Sequence, residues 1–163
     1  MQQKVVAEVA KKVKSYGIPQ IKLSYAADRT AEKKYGEAIT GATAVAEVLR
    51  EWWDKDTLTF TESMVAVLLN RRNKIIGILP VSEGSTSACI CDVRKIVVAA
   101  LIANASGVIL AHNHPSGNLR PSPQDDNITR MTSGALKAVD IKMLDHIILT
   151  DEDFYSYQDD GRI

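Results

Sequence analysis

Cysteine, net charge and long apolar runs are all scarce in this chain, and each scarcity removes a class of function. Of 163 residues only two are cysteine, Cys89 and Cys91. Residues two apart in a strand share a face, but closing so small a ring would strain the backbone. They read as two small buried apolar residues rather than as a disulfide, metal or redox pair. Nothing asks for an oxidising compartment. No apolar run approaches the ~18 residues of a membrane span. The opening "MQQKVVAEVAKKVKSYG" interleaves charges and does not read as a secretory signal, so a cytoplasmic protein without a membrane partner is expected. With 20 basic and 20 acidic residues the net charge is zero. Tight autonomous binding to nucleic acid leans on many phosphate contacts and is disfavoured by that balance. There is no internal repeat and no low-complexity segment, which excludes solenoids and arrays.

What remains is a soluble globular composition, 45% hydrophobic and 25% charged. Its length suits one domain with a short extension. Charge is unevenly spread: residues 1–40 carry a net +4 and residues 140–163 a net −5. The first 38 residues read as a basic helical extension, with Val5, Val6, Val9, Ala10 and Val13 near helical spacing and Gly17 and Pro19 ending the helix. A solvated helix face is the simpler account of that arm; contact with nucleic acid or an acidic partner is the other.

Residues 39–163 read as the main domain. "GATAVAEVLREWW" predicts a helix with Val45, Val48, Leu49 and Trp52 inward. "TLTFTESMVAVLLN" predicts a strand whose run Met64 to Leu69 is covered on both faces. "RRN" is turn chemistry, "KIIGILPVS" completes a hairpin, and "SACICDV" is a short extended piece. Asp92 caps "VRKIVVAALIANAS", a helix apolar almost all round and therefore expected deep in the core; Gly107 follows where a positive φ is wanted. "VILAH" is a central strand, and Pro123 to Val139 a helix with Ile128, Met131, Ala135 and Val139 inward. "IKMLDHIIL" is the last strand and "FYSYQDDGRI" a tail. Alternating helices and strands predict an α/β layered domain.

The chemistry gathers in "AHNHPSGNLRPSPQDD". At the end of a strand His112 and His114 would share a face, close enough for two imidazoles to reach one ion. Pro115 stops the strand. Asp125, eleven residues after His114 in the first turn of the next helix, is the natural third ligand. Two histidines and a carboxylate leave a fourth position for water, the pattern of a catalytic zinc. "SPQD" is also a good helix start, with Ser122 as N-cap, Pro123 at N1 and Asp125 in place of the capping-box glutamate. The two uses can coexist. Asn113 should face the other way, and His146 reads as a structural, hydrogen-bonded histidine.

His112-x-His114-Pro115, six residues, then Ser122-x-x-Asp125 has the spacing of the JAMM (JAB1/MPN) metalloprotease motif. Those residue types at that spacing arise by chance roughly once per million start positions. With "IANASGVILAHNHPSG", "DIKMLDHIIL" and "YSYQDDGRI", residues 40–163 resemble the RadC-like JAB branch of bacteria and their mobile elements. The resemblance implies a JAB1/MPN-like (cytidine-deaminase-like) domain, a mixed β-sheet flanked by helices. It implies one Zn²⁺ per chain on His112, His114 and Asp125, and an amide or isopeptide bond of a protein or peptide cleaved through a metal-activated water. "TESMVAVLLNRRNKIIG" is similar to the family's glutamate-led strand, so Glu62 would be the base and return the proton to the leaving amine; Ser122 would donate a hydrogen bond to the intermediate. Two departures stand out: no helix-hairpin-helix signature is seen, and Val93 stands where the family usually has proline before Arg94. The missing hairpin region weakens inference of direct DNA binding. A DNA-repair or mobile-element accessory protein acting through nucleic acid or protein partners, its metal site structural or vestigial, is the alternative function.

Overall fold

A computed structural model describes residues 38–85 and 91–163. The helix expected over residues 3–15, with Cys89 and most of the extended piece around it, lies outside the described residues. Cys91 is half-buried.

Helix α1 spans Ala42–Trp52 and buries Ala42, Val45, Ala46 and Leu49. Its inward stripe thus differs from the expected one. Trp52 is 39% exposed, whereas Trp53 is buried. The helix ends between them, and the extended backbone of Trp53 (φ −72°, ψ 136°) turns its ring inward. The strand expected from Thr57 begins later. Asp54 accepts hydrogen bonds from the amides of Asp56 and Thr57, and nucleates the single turn α2, Lys55–Leu58. Strand β1 is Glu62–Leu69 and β2 is Ile75–Ser85; they pair antiparallel as expected. The turn between them carries Asn73 at φ 54°.

Helix α3, Val93–Ile102, is capped by Asp92 as the sequence suggests. It is not deeply buried, however: only Ile96 and Ala100 are buried, and Val98 and Leu101 are 53% and 51% exposed. The helix lies on the outside of one layer, so only one face meets the sheet, whatever its composition. The left-handed residue after it is Asn104, φ 53°, not Gly107. Gly107 opens β3 instead, and is needed for space: a Cβ there would sit 2.6 Å from Leu144 Cδ1.

Strand β3, Gly107–Asn113, is wholly buried. Helix α4 is Pro123–Lys137, β4 is Lys142–Leu149 and β5 is Phe154–Ser156. The "tail" therefore supplies a strand and the buried Tyr157. The Asp145 carboxylate holds it by accepting from Ser156 Oγ (2.7 Å) and the Gln158 amide (3.0 Å).

The five strands form one mixed sheet in the order β2-β1-β3-β4-β5, with β3 and β4 parallel through the α4 crossover and the other pairs antiparallel. Side chains alternate across it. Val65, Val67, Leu69, Ile109, Ala111, Ile147 and Leu149 pack with α1. Met64, Ala66, Leu68, Val108 and Leu110 face the other way, toward Ile96 and Ala100 of α3 and Leu136 of α4. Among the described residues no helix is long and apolar enough to cross a membrane.

Candidate metal centre

The alternation that builds the core also builds the site. His112 belongs to the α3/α4 face, pairs across the sheet with Met64 of β1, and is fully buried. Glu62, two residues before Met64 and half-buried, falls on the same face. His114 lies just past the end of β3, yet its amide still bonds to the Leu149 carbonyl (2.9 Å), which keeps its ring beside that of His112, edge-on at 69° with centroids 4.7 Å apart. One ligand atom each from Glu62, His112 and His114 lie within 4.8 Å of one another, a group that could hold a metal ion.

Asp125 arrives from the opposite side, on the first turn of α4. Its Oδ1 is 3.2 Å from His112 Nε2 and its Oδ2 is 3.8 Å from His114 Nε2. The two Nε2 atoms are 3.0 Å apart. Donor atoms bound to one tetrahedral zinc at ~2.0–2.1 Å lie about 3.3 Å from one another, so this spacing fits such an ion.

Asp125 caps the helix, as expected, and at the same time stands beside both histidines. Oδ2 accepts from the Ser122 amide (2.7 Å) and Ser122 Oγ (2.6 Å), while Oδ1 faces His112. Ser122 Oγ in turn accepts from the Asp125 amide, completing a capping box. Burial alone would push the Asp125 carboxyl up. The facing His112 imidazole, together with the Ser122 donors, outweighs burial and holds it well below the usual carboxylate range.

Loop geometry prepares His114. Pro115 and Ser116 form a turn closed by the Gly117 amide on the His114 carbonyl (3.0 Å), and Gly117 takes φ 76°. That bend brings the Asn118 carbonyl onto His114 Nδ1. A carbonyl can only accept, so Nδ1 carries the proton and Nε2 of the neutral ring presents a lone pair, as a metal ligand must.

Asn113 points to the far face, as expected. Its amide donates to the carbonyls of Leu58 (2.7 Å) and Thr61 (2.8 Å), and its oxygen accepts from the Ser63 amide (2.8 Å). The residue between the histidines therefore clamps the backbone on both sides of Glu62.

Two further residues back the histidine pair, one expected only as a hydrogen-bonded histidine and one not foreseen. His146 is not merely a core histidine: its Nε2 lies 2.8 Å from His112 Nδ1 and its Nδ1 lies 2.6 Å from Thr129 Oγ1. Burial pushes its pKa well below the ordinary histidine value, and neighbouring His112 adds to that. Tyr157 stacks on its ring, centroids 5.0 Å apart, and donates to Asp126 (2.8 Å). Thr129 was findable, since it stands four residues after Asp125 and so on the same helix face. His146 carries no local signal. Its place depends on the pairing of β4 with β3, where it lies opposite Leu110.

Residues 39–162 match the family model of the RadC-like JAB domain. The chain is 41% identical over 100 residues to a UPF0758 protein of Flavobacterium johnsoniae, covering 61% of this chain and 44% of that protein. It is 40% identical over 95 residues to one of Pseudomonas fluorescens (58% and 42% covered). A third, from Neisseria gonorrhoeae, is 36% identical over 135 residues (82% and 59% covered). The chain thus spans only 42–59% of the length of these three relatives.

Proposed function

The chain belongs to the RadC-like JAB domain family, and on that premise we propose that it is a zinc-dependent hydrolase of an amide or isopeptide bond in a protein or peptide. The observation that supports this most is the convergence of His112 Nε2, His114 Nε2 and the Asp125 carboxylate, with Glu62 beside the two histidines. Those first three residues would hold the ion. Zinc, when bound, supplies Lewis acidity and lowers the pKa of water to about 7. Glu62 then accepts a proton from the attacking water and returns it to the leaving amine, one carboxylate serving as base and acid. Ser122 keeps Asp125 in place and offers its hydroxyl to the oxygen that gains charge.

The test begins with metal content by mass spectrometry, on protein purified without added zinc. About one zinc per chain is expected, lost or much weakened in His114→Ala and Asp125→Ala. Glu62→Gln should keep the zinc and lose about 10²- to 10⁴-fold in hydrolysis of peptide and isopeptide libraries. A wild type that holds no metal, even after zinc is offered and the excess removed, would leave Ser122 and Asp125 as a helix cap and end this reading.

The net +4 of residues 1–40 favours a second reading, an accessory role at nucleic acid in DNA repair or mobile elements. A salt-dependent gel shift lost on removing those residues would support it.

A further inference from the structure

We propose that Thr129 and His146 are positioning residues that fix the proton of His112 on Nδ1 and so turn a bare Nε2 toward the metal site. The protons of four groups in a row decide it. Thr129 Oγ1 donates to the Asp125 carbonyl at 2.6 Å, and a carbonyl cannot donate in return. The hydroxyl has a single proton, now spent, so toward His146 Nδ1 at 2.6 Å it can only accept. His146 therefore carries its proton on Nδ1, and in the neutral ring Nε2 is a lone pair. That lone pair, 2.8 Å from His112 Nδ1, requires the His112 proton to be on Nδ1. His112 Nε2 is left bare.

This outcome opposes what the immediate surroundings of His112 would select. Asp125 Oδ1, 3.2 Å from His112 Nε2, would draw the proton onto the metal-facing nitrogen. The chain through Thr129 and His146 pulls it to the far side. It starts at the backbone carbonyl of Asp125 itself, so the residue whose carboxylate faces the site also anchors, through its main chain, the orientation of the neighbouring imidazole. With His114 Nε2 also bare, two lone pairs 3.0 Å apart and a carboxylate oxygen face one another, and a cation completes them. Burial of His112, His146 and Thr129 keeps water from substituting for any member of the chain. The purpose assigned to the chain rests on the metal reading above; its proton order does not.

Long-range ¹H–¹⁵N spectra of the histidine rings in metal-free protein, at mildly alkaline pH, test the order directly. The expected wild type has His112 and His146 both protonated at Nδ1. In Thr129→Val the acceptor for His146 is gone, and His112 should shift its proton to Nε2. Zinc affinity, measured by chelator competition, should fall about 10- to 100-fold. Thr129→Ser, which keeps the hydroxyl, should restore both readouts. A merely structural role would lower the melting temperature of Thr129→Val without moving the tautomer. The proposal is overturned if wild-type His112 is bare at Nδ1, or if Thr129→Val keeps the wild-type tautomer and affinity. Wild-type protein with the expected tautomers but no zinc uptake would uphold the chain and remove the metal reading. Normal zinc uptake with a bare His112 Nδ1 would do the reverse.

Discussion

At the scale of single residues, Asn113 has the most demanding role outside the donor set. It is fully buried, and all of its partners are groups of the α2–β1 junction. Asn113→Leu would leave the buried Leu58 carbonyl and the half-buried Thr61 carbonyl and Ser63 amide without their side-chain partner. We expect a loss of about 2–4 kcal/mol in chemical denaturation, since each buried group left unpaired costs about 1–3 kcal/mol and backbone relaxation recovers part. Metal content of the folded fraction should survive, because His112 and His114 hang from the opposite face of the same strand. Glu62, whose backbone Asn113 steadies, should lose hydrolytic efficiency before the site loses zinc.

At the scale of elements, α3 and α4 both depart from apolar periodicity. In α4 the inward stripe is Asp125, Thr129, Thr132 and Leu136, while Met131 is 50% exposed. Of the expected stripe, Ile128 and Val139 are half-buried and pack against the core, but the most buried line runs beside them. The first two turns of α4 instead cover the histidines, where polar side chains find partners. In α3 the excess of apolar residues misled in the other direction. Val98→Lys and Leu101→Lys should each change stability by no more than about 0.5 kcal/mol, as surface substitutions do. Ile96→Ala should cost about 2–5 kcal/mol. Equal losses at all three in thermal melts would mean that α3 is covered on its outer side. The hairpin, the central strand and the nearness of His112, His114 and Asp125 were legible because each is written in local sequence: alternation, turn chemistry, a fixed spacing. The α2 turn was missed where an aspartate cap overrode strand-like threonines. His146 was legible as a hydrogen-bonded histidine, but its partner is set by strand pairing between distant segments.

At the scale of the whole molecule, the candidate site draws on three elements separated by long stretches of chain: Glu62 opens β1, His112 lies near the end of β3 with His114 just past it, and Asp125 lies in the first turn of α4. The sheet order puts β1 and β3 side by side, and the crossover through α4 returns Asp125 over their ends. An unfolded chain has no such constellation, so an ion that binds here distinguishes folded from unfolded molecules. Occupancy then appears as resistance to heat: free zinc at about a hundred times its dissociation constant should stabilise the fold by ~2.7 kcal/mol. His114→Ala should abolish that gain, whatever its effect on the melting temperature without metal. Because the readout is the fold itself, a melting curve can rank zinc, cobalt and manganese as occupants before any substrate is in hand.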